Sequence, residues 1–188
     1  MLKAQNSFEV LETDSVPTPI GDVVIVASEG VLLALDFEEY RARMMKLLAK
    51  RFDPVELVPV KNPAGVSDRV ERYFGGDLTA LLAVPMATGG TDFQRQVWQG
   101  LRDIAPGSVM TYGALAQTLG NPKAVRAVGM ANSLNPISIA LPCHRVVGSG
   151  GKLTGYAGGL ARKRWLLSHE GVAMDNENVL PRLDDAKI

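Results

Sequence analysis

Cysteine is almost absent from this chain: one residue in 188, Cys143, accompanied by only two histidines, His144 and His169. One thiol excludes an intramolecular disulfide, and one thiol with two imidazoles excludes a Cys/His zinc cluster. No apolar run approaches the length of about 20 residues that a membrane span needs. The opening residues, Met1 to Glu9, hold no signal-peptide core. A free thiol without an export signal is expected in the cytoplasm. Hydrophobic content of 46% and charged content of 21% are ordinary for a globular protein. The length allows one large domain or two small ones, and either can bury a proper core.

The net charge of zero hides an asymmetry. Residues 1–90 carry 9 Lys and Arg against 13 Asp and Glu, residues 91–173 carry 9 against 3, and residues 174–188 carry 2 against 4. A neutral chain with one basic half points to a polyanion bound by that half, although a solvated positive face would give the same count.

The first half reads as a small antiparallel sheet with helices. Phe8–Asp14, Val23–Ser28 and Val31–Phe37 are strand-like, and Glu29-Gly30 between the last two predicts a tight hairpin. Tyr40, Met44, Leu47 and Leu48 share one face of a helix over Glu38–Lys50. Val55–Val60 can add a strand, and Ser67–Phe74 reads as a short helix stopped by Gly75-Gly76. Nothing here carries chemistry, so residues 1–88 are expected to be a scaffold domain.

A connection over residues 77–90 leads to Thr91-Asp-Phe-Gln94, the pattern of a capping box. The helix that follows has an apolar stripe of Phe93, Val97, Trp98, Leu101 and Ile104, and Pro106-Gly107 closes it. Thr111 can cap a helix over Tyr112–Leu119. Gly120-Asn-Pro-Lys123 makes a turn, and Ala124–Ser133 forms a second helix, so the pair reads as a helix-turn-helix. The second helix is rich in small residues (Ala124, Ala127, Gly129, Ala131) and presents Arg126 in its first turn. After Asn135-Pro136, a short apolar run over Ile137–Leu141 reaches Cys143. Gly155, Gly158 and Gly159 surround Tyr156 and let the main chain approach a ligand. A last helix over Leu160–His169 is expected to bury Trp165 and Leu166 and to expose Arg162 and Lys163. Residues 89–173 are read as the second domain, and the acidic stretch 174–188 as a loose tail.

Cys143 sits in Ile139-Ala-Leu-Pro-Cys-His-Arg-Val-Val147. A lone cysteine is more often an inert small hydrophobe than a nucleophile. An imidazole and a guanidinium directly after it are what a reactive thiol uses, because nearby cations or a hydrogen-bonded histidine favour the thiolate. Pro-Cys-His-Arg-Val, with Asn135-Pro136 before it, Tyr156 after it and His169-Glu170-Gly171 further on, resembles the O6-alkylguanine-DNA alkyltransferases. That resemblance spans about Thr91 to Gly171.

It implies an α/β protein: a ribonuclease-H-like N-terminal domain before a mostly helical, winged-helix-like C-terminal one. It also implies irreversible, single-turnover transfer of an alkyl group from O6-alkylguanine, and less well O4-alkylthymine, to Cys143 itself, with no cofactor and no metal. The partner would be double-stranded DNA held through its minor groove by a monomer, with no role for a membrane. By the same resemblance, Cys143, His144, Glu170, Tyr112 and Asn135 are catalytic. His144 would draw the thiol proton through a water, Glu170 would orient His144, Tyr112 would donate to guanine N3, and Asn135 would fix the turn beside the thiol. Val146, Tyr156, Ala157 and Gly158 would line the pocket with Cys143. DNA contacts would come from Thr111, Tyr112, Lys123, Ala124, Arg126, Ala127, Asn132 and Ser149, with Arg126 the finger that replaces the extruded base.

Two rivals compete. A thiol hydrolase expects a cysteine and histidine distant in sequence, whereas here they are adjacent. A DNA-binding regulator would read major-groove edges, yet its second helix offers only Arg126 and Asn132 for that task.

Overall fold

The computed structural model describes residues 9–175 and 178–180. Phe8, the expected start of the first strand, lies outside them, as do tail residues 176–177 and 181–188. The N-terminal half is a four-stranded sheet built from β1 (Glu9–Val16), β2 (Val23–Ser28), β3 (Val31–Phe37) and β4 (Val55–Pro59), in the order β3-β2-β1-β4. The hairpin between β2 and β3 turns on Glu29 and Gly30, both in the left-handed region at φ 50° and 78°, as a two-residue hairpin loop requires.

The sheet is mixed, not antiparallel as expected, because β4 pairs parallel to β1. After β3 the chain makes a 3-10 turn at Glu38–Tyr40 and then α1 (Arg41–Leu48). That helical crossover returns it to the far edge running the same way as β1, which a hairpin cannot do.

Both faces of the central strand β2 are covered, which explains its unbroken apolar run. Val24 and Val26 pack with Leu11, Met44 and Leu48 beneath α1, while Val23 and Ile25 join a core shared with α2 (Val66–Phe74) and the C-terminal helices. The connection after α2 is not loose. Ala80, Leu81 and Val84 are buried, and residues 85–87 hydrogen-bond along Leu32 at the edge of β3.

In the C-terminal half α3 (Asp92–Arg102) starts on the expected capping box, with Gln94 N donating to Thr91 Oγ1 and Thr91 N donating to Gln94 Oε1. Val97, Trp98, Leu101 and Ile104 are buried, and Phe93 packs against the same core at its margin. Thr111 caps α4 (Tyr112–Thr118) by accepting from Ala114 N, and α5 (Val125–Ser133) follows the turn. Trp98 Nε1 donates to Ala131 O at 2.9 Å, locking α5 onto α3.

The two-residue strands β5 (Met110–Thr111) and β6 (Val146–Val147) pair in parallel. This short ladder is what brings the start of α4 beside the segment that carries Cys143. α6 (Leu160–His169) closes the fold.

Two expectations fail near the end of the chain. Lys163 is fully buried rather than exposed, and Arg162 is only partly exposed. Nor is the start of the tail loose. Val179 is buried with Val147, Leu153 and Leu167, and its N–H donates to Gly151 O. Leu180 N also donates to Ala173 O, so main-chain bonds hold the segment as well as the buried valine. Among the described residues no helix is long and apolar enough to cross a membrane.

Candidate active site

The approach to Cys143 is a set of tight turns rather than the extended run its apolar residues suggest. Ser138 N donates to Leu35 O and Leu35 N to Pro136 O, so residues 136–138 dock on the edge of β3. Ile139 then adopts φ 69°. A β-branched residue in the left-handed region is strained and persists only where its surroundings over-determine it. Ile139 is buried in the core. Asn135 braces the same turn from within, its Oδ1 accepting from Ile137 N at 2.9 Å and its Nδ2 donating to Leu141 O at 2.8 Å. Cys143 begins a 3-10 turn ending at Arg145 and is 2% exposed.

Glu170, at the C-terminal end of α6, gathers the neighbouring groups. His144 Nε2 lies 2.9 Å from its Oε1, Arg145 Nη2 and Nε donate to Oε1 and Oε2 at 2.8 Å each, and the Tyr73 hydroxyl donates to Oε1 at 2.7 Å. Arg145 Nη1 also donates to Ile104 O. Burial works to raise the pKa of Glu170, but the hydrogen bonds from His144 and Arg145 and the positive charge of Arg145 outweigh it and hold the carboxyl well below its usual range. Burial pushes the His144 pKa down, against the pull of Glu170, so its ring is neutral at neutral pH. With Nε2–H directed at the carboxylate, Nδ1 is the ring's acceptor, and it has no hydrogen-bond partner among the described residues.

Burial also pushes the Cys143 thiol upward in pKa, opposed by the Asn135 amide and by the positive charges of Lys163 and Arg43. The cation expected to help the thiol was Arg145, but that guanidinium is committed to Glu170. Lys163 takes its place. Its ammonium donates to Val146 O at 2.5 Å and Thr154 O at 2.6 Å, and its pKa is pulled down to about 8 by burial against the attraction of Cys143.

A cavity of about 240 Å³ opens over the thiol, lined by Cys143, Tyr112, Asn132, Tyr156 and Ala157 with Gly129, Ser133 and Gly155. Tyr112 donates to Gly155 O at 3.3 Å. Burial raises the pKa of both tyrosines, Tyr156 the more strongly. The Tyr156 hydroxyl has no partner among the described residues. A Cβ on Gly158 would come within 2.7 Å of the Tyr156 ring and 3.1 Å of Phe37, so a side chain there would displace Tyr156. Arg162 holds this loop to the sheet: it donates to Gly158 O and Ile20 O, pairs with Glu39 and lies over the Phe37 ring.

The structure thus brings Cys143, His144, Glu170, Asn135, Tyr112, Tyr156 and Ala157 together around one thiol. Val146 and Gly158 stand beside the cavity rather than in its wall, their carbonyls taken by Lys163 and Arg162. Asn132 is 4% exposed and lines the cavity, so it belongs with the thiol and not on the outer face of α5. That outer face carries Val125, Arg126, Ala127 and Met130, with Lys123 just before it and Ser149 on a separate exposed turn. Arg126 pairs with no carboxylate among the described residues. Ala124 is half-buried, and Thr111 is half-buried with its hydroxyl spent on the helix cap. Leu134 turns inward against the core.

His169 is no part of the site. It stacks on Trp165 and hydrogen-bonds to Tyr73 O. Sequence reasoning missed Tyr73 and Lys163, and it placed Arg145 with the thiol rather than with Glu170. The adjacency of Arg145 to the thiol was a signal for it, but Tyr73 and Lys163 lie in helices away from the motif and gave none.

Known proteins share both halves of this arrangement. Residues 92–172 match the family model described as "6-O-methylguanine DNA methyltransferase, DNA binding domain", and residues 13–88 the one described as "6-O-methylguanine DNA methyltransferase, ribonuclease-like domain". The methylated-DNA–protein-cysteine methyltransferase of Shigella flexneri is 50% identical over 161 residues, 84% of this chain and 94% of that protein. The protein of the same name from Salmonella typhimurium is 52% identical over the same shares of the two chains. Among solved structures, that of Mycobacterium tuberculosis OGT in complex with DNA is similar at TM-score 0.72 and 39% identity, covering 86% of this chain and 92% of that one.

Proposed function

The chain belongs to the O6-alkylguanine-DNA alkyltransferase family, and from that premise we infer that it repairs DNA by moving the alkyl group of O6-alkylguanine to its own cysteine, Cys143. One observation carries this reading: the only thiol of the chain lies in a cavity between two tyrosines, beside a neutral histidine oriented by a buried carboxylate.

The alkylated oxygen faces the inside of a base pair, so the nucleotide must leave the stack, at a cost of a few kcal/mol that a damaged pair reduces. The exposed face of α5 suits this task. Its small residues let the helix enter the narrow minor groove, and Arg126, which pairs with no carboxylate among the described residues, fills the gap left by the base. Lys123 and Ser149 contact the flanking backbone. The protein acts as a monomer.

Within the cavity the thiol is neutral at rest, because burial outweighs the nearby cations. It is deprotonated as it reacts. His144 Nδ1 takes the proton through a water, and Glu170 steadies the imidazolium that forms, as in other cysteine–histidine pairs. Sulfur attacks the alkyl carbon, the bond from that carbon to O6 breaks, and its electron pair passes to the base. Tyr112 donates to guanine N3 so that a neutral guanine leaves. Tyr156 and main-chain groups of Cys143 and Ala157 bound the pocket. The product is a thioether, which neither hydrolysis nor ordinary reductants reverse, so each molecule acts once.

We divide the chain at 88/89 into a scaffold domain (1–88) and a domain for DNA binding and transfer (89–173), with residues 174–188 as an appendage. Two separate family matches on either side of the boundary support this. We assign a ribonuclease-H-like sheet to the first and a winged-helix-like arrangement to the second, in which the β5–β6 ladder follows the helix-turn-helix in space.

The test is mass spectrometry of the intact protein and its peptides after mixing with duplex DNA carrying one O6-methylguanine. One methylene gained per chain, on the peptide containing Cys143, is the expected result. Repaired DNA with an unmodified protein would overturn the mechanism. Arg126→Ala is expected to slow reaction with duplex DNA more than reaction with the free alkylated base. Equal losses would remove Arg126 from base flipping.

A further inference from the structure

Asn132 is placed oddly for a residue on a DNA-facing helix. It is 4% exposed and lines the cavity over the thiol. Its Nδ2 lies 3.4 Å from the Tyr112 hydroxyl oxygen and 3.4 Å from the Cys143 carbonyl oxygen. A carbonyl can only accept, so the atom facing Cys143 is the amide nitrogen, and this fixes which way the amide points. Oδ1 is then left with no partner among the described residues. Two long hydrogen bonds and a buried unpaired oxygen are a poor arrangement for stability. They tie together two groups of the reaction, the thiol's own residue and the tyrosine proposed to donate to the base.

The Tyr112 hydroxyl has one proton. In the resting structure that proton is directed at Gly155 O over a long 3.3 Å bond, easily exchanged for a better acceptor. Accepting from Asn132 Nδ2 occupies a lone pair on the phenol oxygen and so constrains where the remaining O–H can point.

We propose that Asn132 is a positioning residue for alkyl transfer: it donates to the Tyr112 oxygen, turns the phenol's proton toward the base, and steadies the charge left on that oxygen as the proton moves to guanine N3. The proposal rests on the assignment of Tyr112 as donor made above. The step balances. The sulfur–carbon bond forms, the carbon–O6 bond breaks with its electrons going to the base, Tyr112 supplies a proton to N3, and the thiol proton, taken first by His144, is released and returns the phenolate to phenol through solvent. The same hydrogen bond works to lower the Tyr112 pKa, against burial, which raises it.

The experiment is a double-mutant cycle on the single-turnover rate of Cys143 alkylation by duplex DNA carrying O6-methylguanine. Asn132→Leu removes the amide at similar volume, and Asn132→Ala does so without crowding. Each is combined with Tyr112→Phe, and folding of every variant is followed by thermal melting. Both single variants of Asn132 are expected to slow transfer about tenfold, with DNA affinity held within about twofold, and to cost nothing further once Tyr112 is Phe, because coupled groups are not additive. Full-rate transfer by folded Asn132→Ala, or losses that multiply with Tyr112→Phe, would overturn the proposal. A Tyr112→Phe variant with unchanged rate would instead show that the donor assignment itself is wrong.

Discussion

The two sides of Cys143 are built on opposite plans. Toward α6, Glu170 is saturated by His144, Arg145 and Tyr73 at 2.7 to 2.9 Å, with Gly107 N a longer fourth donor at 3.5 Å. Toward α5, the polar atoms are under-used: Asn132 Oδ1 and the Tyr156 hydroxyl have no partner among the described residues, and the Asn132 and Tyr112 bonds run from 3.3 to 3.4 Å. A saturated ionic network in low dielectric is rigid and costly to break, whereas unpaired polar groups are costly to keep. On the proposed mechanism, the first side fixes the proton machinery before DNA arrives. On the same mechanism, the second holds hydrogen-bonding capacity in reserve for a base. His144 Nδ1 belongs to the first residue set by position and to the second by valence, and it marks the seam between them.

The most severe disturbance removes the seam's nucleophile. Cys143→Ala is expected to abolish alkyl transfer while DNA binding survives, checked by mass spectrometry alongside a binding titration. Transfer by that variant would mean the chemistry is elsewhere.

Next comes the saturated side. Glu170→Gln keeps the shape but leaves Arg145 buried without its counter-ion. Breaking a buried pair in this way costs about 3–5 kcal/mol, readable as a shift in urea midpoint at constant slope. Transfer is expected to slow about 100-fold or more, because His144 loses the group that sets its tautomer. A stable variant would show that the network is less rigid than its distances imply.

Acid tests the same side without mutation. The folded protein holds the pKa of His144 below its ordinary 6.5 and that of Glu170 below its ordinary 4.5. In both cases the unfolded chain binds the proton more readily. The contribution of these two groups to stability is therefore full above about pH 6.5, begins to fall as His144 protonates in the unfolded state, and falls more steeply below about pH 4.5 as Glu170 does so. Urea midpoints across this range give the curve, and Glu170→Gln is expected to lose the lower step.

Much of the scaffold was legible because its signals are local. The Thr91–Gln94 capping box, the Glu29-Gly30 hairpin and the period of Val97, Trp98 and Leu101 each depend on neighbours a few residues away. The parallel pairing of β4 was not legible, because Val55–Pro59 offers the same alternation to either strand direction. The reactive stretch was legible as a motif, and Cys143, Tyr112, Tyr156 and Ala157 do meet at one cavity, although Val146 and Gly158 stand outside its wall. The burial of Lys163 was hidden, since a lysine amid the basic run Arg162–Arg164 reads as solvated. The carbonyls of Val146, Thr154 and Gly155, brought from other parts of the chain, make its burial tolerable. Asn132 was misplaced for a related reason: Arg126, Met130 and Ser133 lie on the exposed face of α5 whereas Val128, Ala131 and Asn132 lie on its buried face, where a polar asparagine is not expected.

The smallest expected effects separate the two sides most cleanly, because they delete the same atom from the same residue type. Tyr73→Phe removes a hydroxyl that donates to a buried carboxylate, and the remaining partners of Glu170 recover only part of the loss, so it is expected to cost about 1–2 kcal/mol. Tyr156→Phe removes a hydroxyl with no partner among the described residues, so stability is expected to stay within about 0.5 kcal/mol or to rise slightly. Function should show the reverse order. If the Tyr156 hydroxyl is held for the base, its loss weakens capture of the alkylated nucleotide and slows transfer at limiting DNA. Tyr73→Phe, one residue removed from the thiol's proton path, slows transfer less at a temperature where both variants are folded. Equal stability costs for the two variants would erase the distinction between a saturated wall and a receptive one, and the cavity would then be lined by ordinary core tyrosines.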